Sequence, residues 1–429
     1  MFKKICVIGL GYIGLPSSLM FAKSGFEVVG VDTNEYIVQS LNNGNPHIEE
    51  KDLLEIFAEV RSHHSFRATT SPENADAFMI AVPTPVNADH SANLDYIVAA
   101  TKSILPFLKA GDTVIIESTI PPGTTVEVVG KLIGNSGWHV GEEIYLAHCP
   151  ERVLPGRIFR ELVENNRIIG GFNIKSAQKA AELYRPFVQG EITLTSCASA
   201  EMAKLMENTF RDVNIALANE LARISASVGV DALEVIQLAN KHPRVNLHSP
   251  GPGVGGHCIA VDPYFIIEKA PNESKLMATA RDINNRMPEY VVQQVEKLVP
   301  PYQGHPVAVF GLTYKGNVDD IRESPAIEVV NLLIQKGYIV KTHDPHVQPD
   351  HCPFRLHAPE EALEDAHCLI VLADHNEFRL IDDTWLVGMR TPTILDTKKC
   401  LEFGENSKVF HYHFGNLHVL KNREPATVY

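Results

Sequence analysis

The segment that most constrains the fold lies near the start of the chain and reads Gly9-Leu-Gly11-Tyr12-Ile13-Gly14. An apolar, β-branched run over 3–8 precedes it, a helical pattern over 15–24 follows, and a second apolar run over 27–31 ends at Asp32. Strand, Gly-x-Gly-x-x-Gly turn, helix, and strand ending in an acid form the dinucleotide-binding fingerprint. Asp32 can accept hydrogen bonds from the adenosine ribose hydroxyls, and its charge disfavours a 2′-phosphate. The pattern therefore predicts an NAD-binding Rossmann-like domain rather than an ordinary strand-to-helix turn.

Further strand–loop units follow the fingerprint. Apolar runs at 77–82, 113–117 and 144–147 predict strands, and they end in the loops Pro83-Thr84-Pro85, 118–123 and 148–152. Ligands of doubly wound sheets bind outside the carboxyl ends of the strands, so we expect these loops to face the nicotinamide half of the cofactor. Thr119 and Glu151 are the functional candidates. The alternatives are a hydroxyl bonded to its own backbone and a surface salt bridge between Glu151 and Arg152.

A helical segment with few breakers spans 199–228, long enough to form a spine between domains. Lys204, Asn208 and Asp212 recur every four residues and share one face of this helix. The pattern leaves open whether that polar face meets solvent or lines a cleft. Helical patterns at 232–240 and 275–285 indicate an all-helical middle region.

Between these helices lies the loop 251–263, Gly-Pro-Gly-Val-Gly-Gly-His-Cys-Ile-Ala-Val-Asp-Pro. Glycines allow a close backbone approach and prolines stiffen the loop, so it is typical of a segment that presents a side chain. The candidate is Cys258; the alternative is a tight turn with an inert buried thiol. His257 has no second Cys or His at ligand spacing, so we predict no metal site.

The strand–helix pattern restarts at 306–310, and further strands are predicted at 339–342, 369–372 and 393–395. Ser324 before Pro325 is a good N-cap for a helix over 326–335. The first turn of this second α/β domain has Thr313 where the fingerprint places its middle glycine. Lys315 and Arg322 follow that turn. They indicate binding of an anion, such as a nucleotide phosphate, in place of a dinucleotide.

Composition excludes several classes of protein. A net charge of −14 argues against nucleic-acid and anionic-membrane partners. Seven cysteines without paired spacing indicate reduced thiols, and no run reaches the ~18 apolar residues of a membrane span. We therefore predict a cytoplasmic protein without membrane insertion.

Together, the motifs resemble the nucleotide-sugar 6-dehydrogenases, the UDP-glucose and UDP-acetamidosugar dehydrogenases, across nearly the whole chain. The loop ending Gly255-Gly-His-Cys-Ile-Ala-Val-Asp-Pro263 and the run Cys149-Pro-Glu-Arg-Val look most like UDP-N-acetylmannosamine dehydrogenases. UDP-glucose enzymes commonly carry a lysine where Val261 stands. The full resemblance rests on seven ordered segments, which begin at Gly9, Pro83, Ser118, Cys149, Glu201, Gly255 and Gly311.

The resemblance implies an α/β fold in which two doubly wound Rossmann-like domains are joined by a helical central domain with a long spine helix. We expect an NAD-binding domain over 1–198, a central and dimerisation domain with the cysteine loop over 199–300, and a UDP-sugar-binding domain over 301–429. A homodimer or higher homo-oligomer is the expected assembly, and polysaccharide biosynthesis is the expected role.

The implied activity is NAD-dependent oxidation of the C6 alcohol of a UDP-acetamidosugar to a carboxylate. This removes four electrons, so two NAD molecules act in succession, and a thiolate at Cys258 holds the aldehyde as a thiohemiacetal and then a thioester. Lys204 and Asn208 would stabilise charge on the C6 oxygen. Glu151, then Asp262, are the candidate bases, with Thr119 and a water as a further candidate.

The binding residues are also carried over by resemblance. The UDP-sugar is expected at Gly253, Gly255, Lys315 and Arg322, with Glu151, Arg152, Lys204, Asn208 and Arg244 also in contact. Arg244 is the residue expected to reach a neighbouring subunit. The cofactor is expected at Gly9, Gly11, Tyr12, Ile13, Gly14, Asp32, Pro83, Thr84, Thr119 and Arg322.

Other functions stay open at this point. UDP-N-acetylglucosamine and UDP-glucose are the competing substrates. A two-electron hydroxy-acid dehydrogenase would share the first domain and the lysine-bearing helix, but it has no use for a cysteine in a glycine loop. A non-catalytic NAD sensor would tolerate loss of the thiol or the lysine, and both are present.

Overall fold

A computed structural model of the protein describes residues 2–154, 156–300 and 304–422. The chain divides into two units. The first contains the chain up to Glu207 together with Tyr264–Pro271, and the second contains Asn208–Pro263 together with the chain from Asn272 onwards. The helices are α1 (Gly14–Lys23), α2 (Glu35–Asn43), α3 (Leu53–Ser62), α4 (Asp95–Ile104), α5 (Lys131–Asn135), α6 (Ile158–Glu164), α7 (Ile174–Tyr184), α8 (Cys197–Val228), α9 (Ala232–Ala239), α10 (Asp262–Lys269), α11 (Lys275–Asn285), α12 (Met287–Leu298), α13 (Pro325–Gln335) and α14 (Pro359–Leu363).

One sheet organises the first unit. Its strands are β1 (Lys4–Ile8), β2 (Glu27–Val31), β3 (Phe66–Thr69), β4 (Ala77–Ile80), β5 (Thr113–Ile116), β6 (Tyr145–His148), β7 (Arg167–Gly171) and β8 (Ile192–Ser196). They lie in the order β3-β2-β1-β4-β5-β6-β7-β8, and only β6 and β7 pair antiparallel among the described strands. Because β1 lies between β2 and β4, the strand order reverses beside the glycine turn, which is where doubly wound sheets bind ligands.

Both faces of this sheet are covered. Ile5 and Val7 pack into one apolar cluster, whereas Cys6 and Ile8 pack into another. Alternate residues of a strand point to opposite faces, so β1 buries a side chain on each side. Continuous apolar runs without alternation are typical of such strands, which is why the sequence predicts them well.

The second unit repeats this construction with fewer strands. Its sheet contains β9 (Pro306–Phe310), β10 (Ile339–His343), β11 (Leu369–Val371), β12 (Thr393–Asp396) and β13 (Phe410–His413). The order is β10-β9-β11-β12-β13 and all the pairs are parallel. The Ser324 hydroxyl accepts a hydrogen bond from the Ala326 N–H and caps α13, as predicted.

The predicted fold class is confirmed: the chain forms two doubly wound sheets, and the stretch of sequence between them is helical and includes the long helix α8. The predicted strands form within one or two residues of their expected ends. The sequence interpretation missed β3, β7, β8 and β13, since these strands are short, glycine-containing or half-exposed. The three-domain division at 198 and 300 stays a prediction, and residues 301–303 lie outside the described ranges. None of the described helices has the length and apolarity that crossing a membrane requires.

Candidate active site

The dinucleotide turn has the geometry that a pyrophosphate requires. Gly9 has a φ of 93°, and a Cβ there would lie 2.7 Å from the Ala81 carbonyl oxygen. A Cβ on Gly14 would lie 1.8 Å from the Gly9 carbonyl oxygen, so these two glycines are needed for the turn and for helix packing. A Cβ on Gly11 would meet nothing within 4 Å. The middle glycine therefore leaves open space at the N-terminus of α1, as binding of NAD demands.

Asp32 stands at the end of β2 beside this turn. Its Oδ2 accepts a hydrogen bond from the Leu10 N–H at 3.1 Å, and its Oδ1 accepts one from the Asn34 N–H at 2.9 Å. The carboxylate is half-buried and held in place by two backbone groups. Tyr12 and Ile13 complete the turn, with the Tyr12 ring exposed. The structure thus brings the predicted cofactor residues of this turn together.

The loops after β4 and β5 are joined to each other. The Thr84 hydroxyl donates to the Thr119 carbonyl oxygen at 2.5 Å, and the Ser118 hydroxyl donates to the Val82 carbonyl oxygen at 2.6 Å. Thr119 is half-buried, and Pro83 beside Thr84 is exposed. These hydrogen bonds therefore connect the two loops at the carboxyl edge of the sheet.

Glu201, from the motif on α8, anchors the far side of the same loop. Its carboxylate accepts hydrogen bonds from the Gly123 N–H at 2.6 Å and from the Thr125 N–H at 2.8 Å. Burial raises the pKa of Glu201, and the hydrogen bonds from Thr125 and Gly123 oppose that rise. In the sequence Glu201 is recognisable only as part of a motif, whereas in the structure it fixes the Thr119 loop to α8.

Glu151 is buried, and its partner differs from the one considered in the sequence analysis. Its Oε2 lies 3.2 Å from Nη2 of Arg167, and both side chains are 6% exposed. Arg152 instead pairs with Glu207, with 3.3 Å between Nε and Oε1. The alternative of a surface salt bridge between Glu151 and Arg152 is wrong, because β7 places a buried guanidinium opposite Glu151. Arg167 lies on a strand that the sequence interpretation missed.

In the second unit, the cysteine loop lies against the segment 314–325. A Cβ on Gly255 would lie 2.4 Å from the Glu323 carbonyl oxygen, and one on Gly256 would lie 2.9 Å from the Tyr314 ring. Gly253 and Gly256 have φ values of 135° and 81°. The Gly256 N–H donates to the Arg322 carbonyl oxygen at 3.1 Å. The glycines are therefore required for two backbones to meet.

Cys258 is half-buried in this loop, and the Asp262 N–H donates to its carbonyl oxygen at 2.9 Å. The buried Asn208 side-chain amide donates to the buried Asp262 carboxylate, and Arg211 donates to the side-chain oxygen of Asn208. One amide hydrogen of Asn208 is thus used on Asp262. The structure brings these two predicted residues together directly.

The polar face of α8 is not solvated. Asn208 and Asp212 are fully buried and Lys204 is 9% exposed, whereas the apolar Phe210 is 58% exposed. Arg281 donates to Asp212 at 2.6 Å inside the second unit. The alternative of a face turned to solvent is therefore wrong, and whether these residues act on a substrate stays a prediction.

A charged group flanks the thiol. Arg322 forms a fork on Asp320, with 2.6 Å between Nη2 and Oδ2, and its Nη2 lies 3.2 Å from Nδ1 of His257. Burial favours the neutral form of Asp320, but the hydrogen bonds from Arg322 outweigh it, so the pKa of Asp320 is lowered. Lys315 and Arg244 are exposed. Part of the Arg322 charge is thus already balanced by Asp320.

The first turn of the second sheet resembles the dinucleotide turn but is closed. Asp344 ends β10 and accepts from the Leu312 N–H at 2.6 Å, as Asp32 does from Leu10. Thr313, in the place of the middle glycine, is buried and donates to the Lys315 carbonyl oxygen at 2.8 Å. His375 Nε2 lies 3.1 Å from Oδ2 of Asp344. Asp344 is therefore paired with His375, and the Thr313 side chain fills the space that the middle glycine leaves open in the dinucleotide turn.

His346, His375 and Glu377 are the one group of potential metal ligands within the described residues. The Asn317 N–H donates to His375 Nδ1 at 2.9 Å, while Nε2 faces Asp344. Both ring nitrogens of His375 therefore form hydrogen bonds within the protein, and His375 is a hydrogen-bonded histidine rather than a free metal ligand.

Lys398 was missed by the sequence analysis. Its Nζ would lie 3.1 Å from a Cβ placed on Gly251, which puts the amine at the first residue of the cysteine loop. Burial lowers the pKa of Lys398, and Asp374, Cys400 and Asp396 oppose that shift. A lysine three residues after the predicted strand 393–395 was the available signal.

Comparison with known proteins agrees with this geometry. Three descriptions of the UDP-glucose/GDP-mannose dehydrogenase family match the chain: the NAD binding domain over residues 3–188, the central domain over 198–286 and the UDP binding domain over 308–403.

Similar individual proteins cover almost the full chain. The UDP-N-acetyl-D-mannosamine dehydrogenase of Methanocaldococcus jannaschii is 49% identical over 406 residues, which cover 93% of each protein. The NDP-N-acetyl-D-galactosaminuronic acid dehydrogenase of Ralstonia solanacearum is 46% identical and covers 92% of this chain and 96% of the relative. The structure of the UDP-N-acetyl-mannosamine dehydrogenase Cap5O from Staphylococcus aureus matches with a TM-score of 0.90 and 50% identity, covering 97% of this chain and 100% of that one. The chain therefore belongs to the UDP-glucose/GDP-mannose dehydrogenase family and is an NAD-dependent nucleotide-sugar dehydrogenase.

Proposed function

We propose that the protein oxidises UDP-N-acetyl-D-mannosamine at C6 to UDP-N-acetyl-D-mannosaminuronate, by way of a thioester on Cys258. The observation that carries the proposal is the presentation of Cys258. A glycine loop packs against the segment 314–325 and holds this half-buried thiol four residues before Asp262, whose buried carboxylate accepts a hydrogen bond from the buried Asn208 amide.

The overall reaction consumes one alcohol, one water and two NAD⁺, and it yields one carboxylate, two NADH and three protons. NAD accepts one hydride in each of the two oxidations. Gly9, Gly11, Gly14 and Asp32 would hold it, with Tyr12, Ile13, Pro83, Thr84 and Thr119 around it. Arg322 is also expected at the cofactor. It belongs to the second unit, where it forms an ion pair with Asp320, and we propose that it binds the substrate.

Cys258 acts between the two oxidations. Its sulfur adds to the C6 aldehyde to form a C–S bond, and its proton passes to a base. After the second hydride leaves C6, the thioester is attacked by water and the C–S bond breaks, which restores the thiol.

The remaining roles belong to polar side chains. Lys204 and Asn208 stabilise negative charge on the C6 oxygen, and Asn208 also orients Asp262 through their hydrogen bond. Glu151 is the first candidate base and Asp262 the second, with Thr119 holding a water. A slow thioester hydrolysis in Glu151→Gln, with NADH still formed rapidly, would support this order.

The nucleotide contacts use the loop backbone and nearby cations. Gly253 and Gly255 allow the diphosphate to approach, and Lys315, Arg322 and Lys398 supply positive charge. Arg152 and Arg244 are the outer candidates, and Arg244 is exposed as a contact to a neighbouring subunit requires. An arginine fork matches phosphate oxygens bidentately.

The choice of sugar rests on the relatives and on Val261. Three similar proteins described above act on acetamido sugars by name, and Val261 replaces the lysine of UDP-glucose enzymes. The test is the NADH yield from limiting UDP-N-acetylmannosamine, UDP-N-acetylglucosamine, UDP-N-acetylgalactosamine and UDP-glucose. Two NADH from the first sugar alone supports the proposal. Two from another sugar changes the substrate, and one or none refutes the four-electron mechanism.

Cys258→Ala should abolish acid formation. Cys352→Ser is the matched control, because Cys352 is another half-buried thiol of the second unit and lies outside the cysteine loop. Equal turnover of wild type and Cys258→Ala would refute the thioester.

We also infer a homodimer. Leu217, Ile224 and Val228 lie on one face of α8 and are 48%, 50% and 66% exposed. An apolar helix face of this kind marks a protein interface. Light scattering should show a dimer that Leu217→Glu with Ile224→Glu dissociates. The seven free thiols support a cytoplasmic location.

A further inference from the structure

Three charged side chains form a closed cluster inside the first unit, and only one of them has a place in the mechanism. Glu117, Glu151 and Arg167 are 0%, 6% and 6% exposed. Arg167 Nη2 lies 3.2 Å from Glu151 Oε2, and Arg167 Nη1 lies 3.7 Å from Glu117 Oε1. One guanidinium therefore serves two carboxylates.

Strand register explains why these residues meet. In the antiparallel pair of β6 and β7, Ala147 is opposite Gly171 and His148 is opposite Gly170. Continuing this register by three residues places Glu151 opposite Arg167. Glu117 follows β5, the other neighbour of β6, so all three side chains gather at one edge of the sheet.

Glu117 is held by neutral donors as well as by Arg167. The Tyr184 hydroxyl of α7 donates to its Oε1 at 2.9 Å, and the Ser17 hydroxyl of α1 donates to its Oε2 at 3.1 Å. The Arg167 guanidinium also stacks on the Tyr184 ring at 4.7 Å and lies 3.7 Å from the Cys149 sulfur. These contacts orient Glu117 in either protonation state.

The charges of the cluster cannot balance if both carboxyls are ionised. Burial, reinforced by repulsion from Glu151, raises the pKa of Glu117 to about 7, although Arg167 and the two hydroxyls oppose the rise. Burial raises the pKa of Cys149 to about 11 and that of Tyr184 well above its ordinary value. Glu117 therefore exchanges a proton near neutral pH, whereas the neighbouring thiol and phenol stay neutral there.

We propose that Glu117 is a positioning residue that controls, through Arg167, the strength of Glu151 as a base. This inference rests on the proposed role of Glu151. When Glu117 is protonated, Arg167 serves Glu151 alone and stabilises its carboxylate. When Glu117 loses its proton, Arg167 is shared, and Glu151 takes up a proton more readily. Two carboxyls linked in this way titrate as a pair.

The test is the pH profile of kcat for oxidation of UDP-N-acetylmannosamine by Glu117→Gln. Glutamine keeps one acceptor oxygen, its NH2 group can donate to the hydroxyl that the second oxygen bound, and it has no proton to release. We expect the variant to lose an inflection near pH 7 that the wild type shows, with KM unchanged. At alkaline pH its kcat should fall about tenfold below the wild type, because Glu151 is then the weaker base.

Asp112→Asn is the matched control. Asp112 directly precedes the same strand β5, is buried, and has a pKa raised to about 6 by burial, but it lies at the opposite end of the strand from Glu117. The control should keep the inflection. A pH profile of kcat that is unchanged in Glu117→Gln would overturn the proposal, and so would loss of the inflection in Asp112→Asn. Either result would leave the proposed function supported as long as two NADH are formed per sugar.

A second measurement does not depend on turnover. The pKa of Glu117 is raised from 4.5 to about 7 on folding, so its contribution to stability is full below about pH 4.5 and is lost as pH rises through about 7. Glu117→Gln should lack this loss, and Glu151→Gln should reduce it, because Arg167 then belongs to Glu117 alone. If Glu151→Gln leaves the pH dependence of unfolding at the wild-type value, the coupling is refuted even if no UDP-sugar is oxidised.

Discussion

The Asn219 side chain accepts a hydrogen bond from the Gly251 N–H at 2.8 Å, and so ties the start of the cysteine loop to the helix α8. The Asn219 amide donates in turn to Asn284 at 2.9 Å, and Asn284 donates to Asp212 at 2.8 Å. All of these groups are buried. Buried polar groups are costly unless they are paired, so this chain of amides holds the loop in one position.

Asn219→Ala should lower kcat and destabilise the protein, because the Gly251 N–H and the Asn284 side-chain oxygen both lose the hydrogen bond to Asn219. The expected loss of stability is about 1–3 kcal/mol. Asn214→Ala is the control, since the Asn214 amide bonds only to the Phe210 carbonyl of its own helix among the described residues. Turnover and thermal unfolding, measured on both variants, check this. Equal effects in the two variants would contradict a role in positioning the loop.

Gly11→Ala should separate folding from cofactor binding. The new methyl group meets no protein atom within 4 Å, so the thermal unfolding temperature without NAD should stay at the wild-type value. NAD should no longer stabilise the variant, since the methyl group occupies the path of the pyrophosphate. Gly134→Ala on α5 also adds a methyl group in open space and should leave NAD binding intact. Calorimetric titration with NAD measures the difference; normal affinity in Gly11→Ala would refute the assigned position.

Gly255→Ala should prevent closure of the cysteine loop. Its Cβ would lie 2.4 Å from the Glu323 carbonyl oxygen, so one of the two backbone segments must move. We expect loss of acid formation together with lower stability. Gly404→Ala, where nothing lies within 4 Å, is the control in the same unit. NADH yield and unfolding temperature report the two effects, and an active Gly255→Ala enzyme would show that the close approach is dispensable.

His148→Leu should stabilise the protein, most of all at acidic pH. Neither ring nitrogen has a hydrogen-bond partner among the described residues, and burial lowers the pKa of His148 to about 3. A histidine with a lowered pKa contributes stability above its ordinary pKa of 6.5, and that stability is lost as pH falls toward about 3. The slope is about 1.4 kcal/mol per pH unit for one proton.

His413→Leu is the contrasting variant for this prediction. His413 is half-buried, and its Nδ1 accepts from the Gly415 N–H at 3.1 Å, so its removal should destabilise the protein. Denaturant unfolding at two pH values compares the variants. A His148→Leu protein less stable than the wild type at both values would contradict the prediction.

Local patterns predicted most of the fold. Buried parallel strands are continuous apolar runs, and the turn residues around them have strict steric requirements, so β1, β2, β5 and β9 are evident without coordinates. The strand β7 is not, because it begins with Arg167 and ends with two glycines, which leaves only two isoleucines as its apolar run. That omission also hid the partner of Glu151.

The predicted site residues divide in the same way. Cys258 and the glycines of its loop stand out because a thiol among four glycines is a local pattern. The partnership of Asn208 with Asp262 joins residues 54 positions apart, and no local pattern contains it. Lys398 and Asn219 were missed for the same reason, since each meets the loop only through tertiary contacts.

The sequence by itself determined the family, the cofactor and the order of the elements, because strand runs, glycine turns and helix caps depend on neighbouring residues. Only the tertiary structure decided which charges are paired. It buried the polar face of α8, assigned Arg167 to both Glu117 and Glu151, and filled the second glycine turn with Thr313 and His375. Charge pairing depends on burial and on distances between remote residues, and sheet register and packing set both.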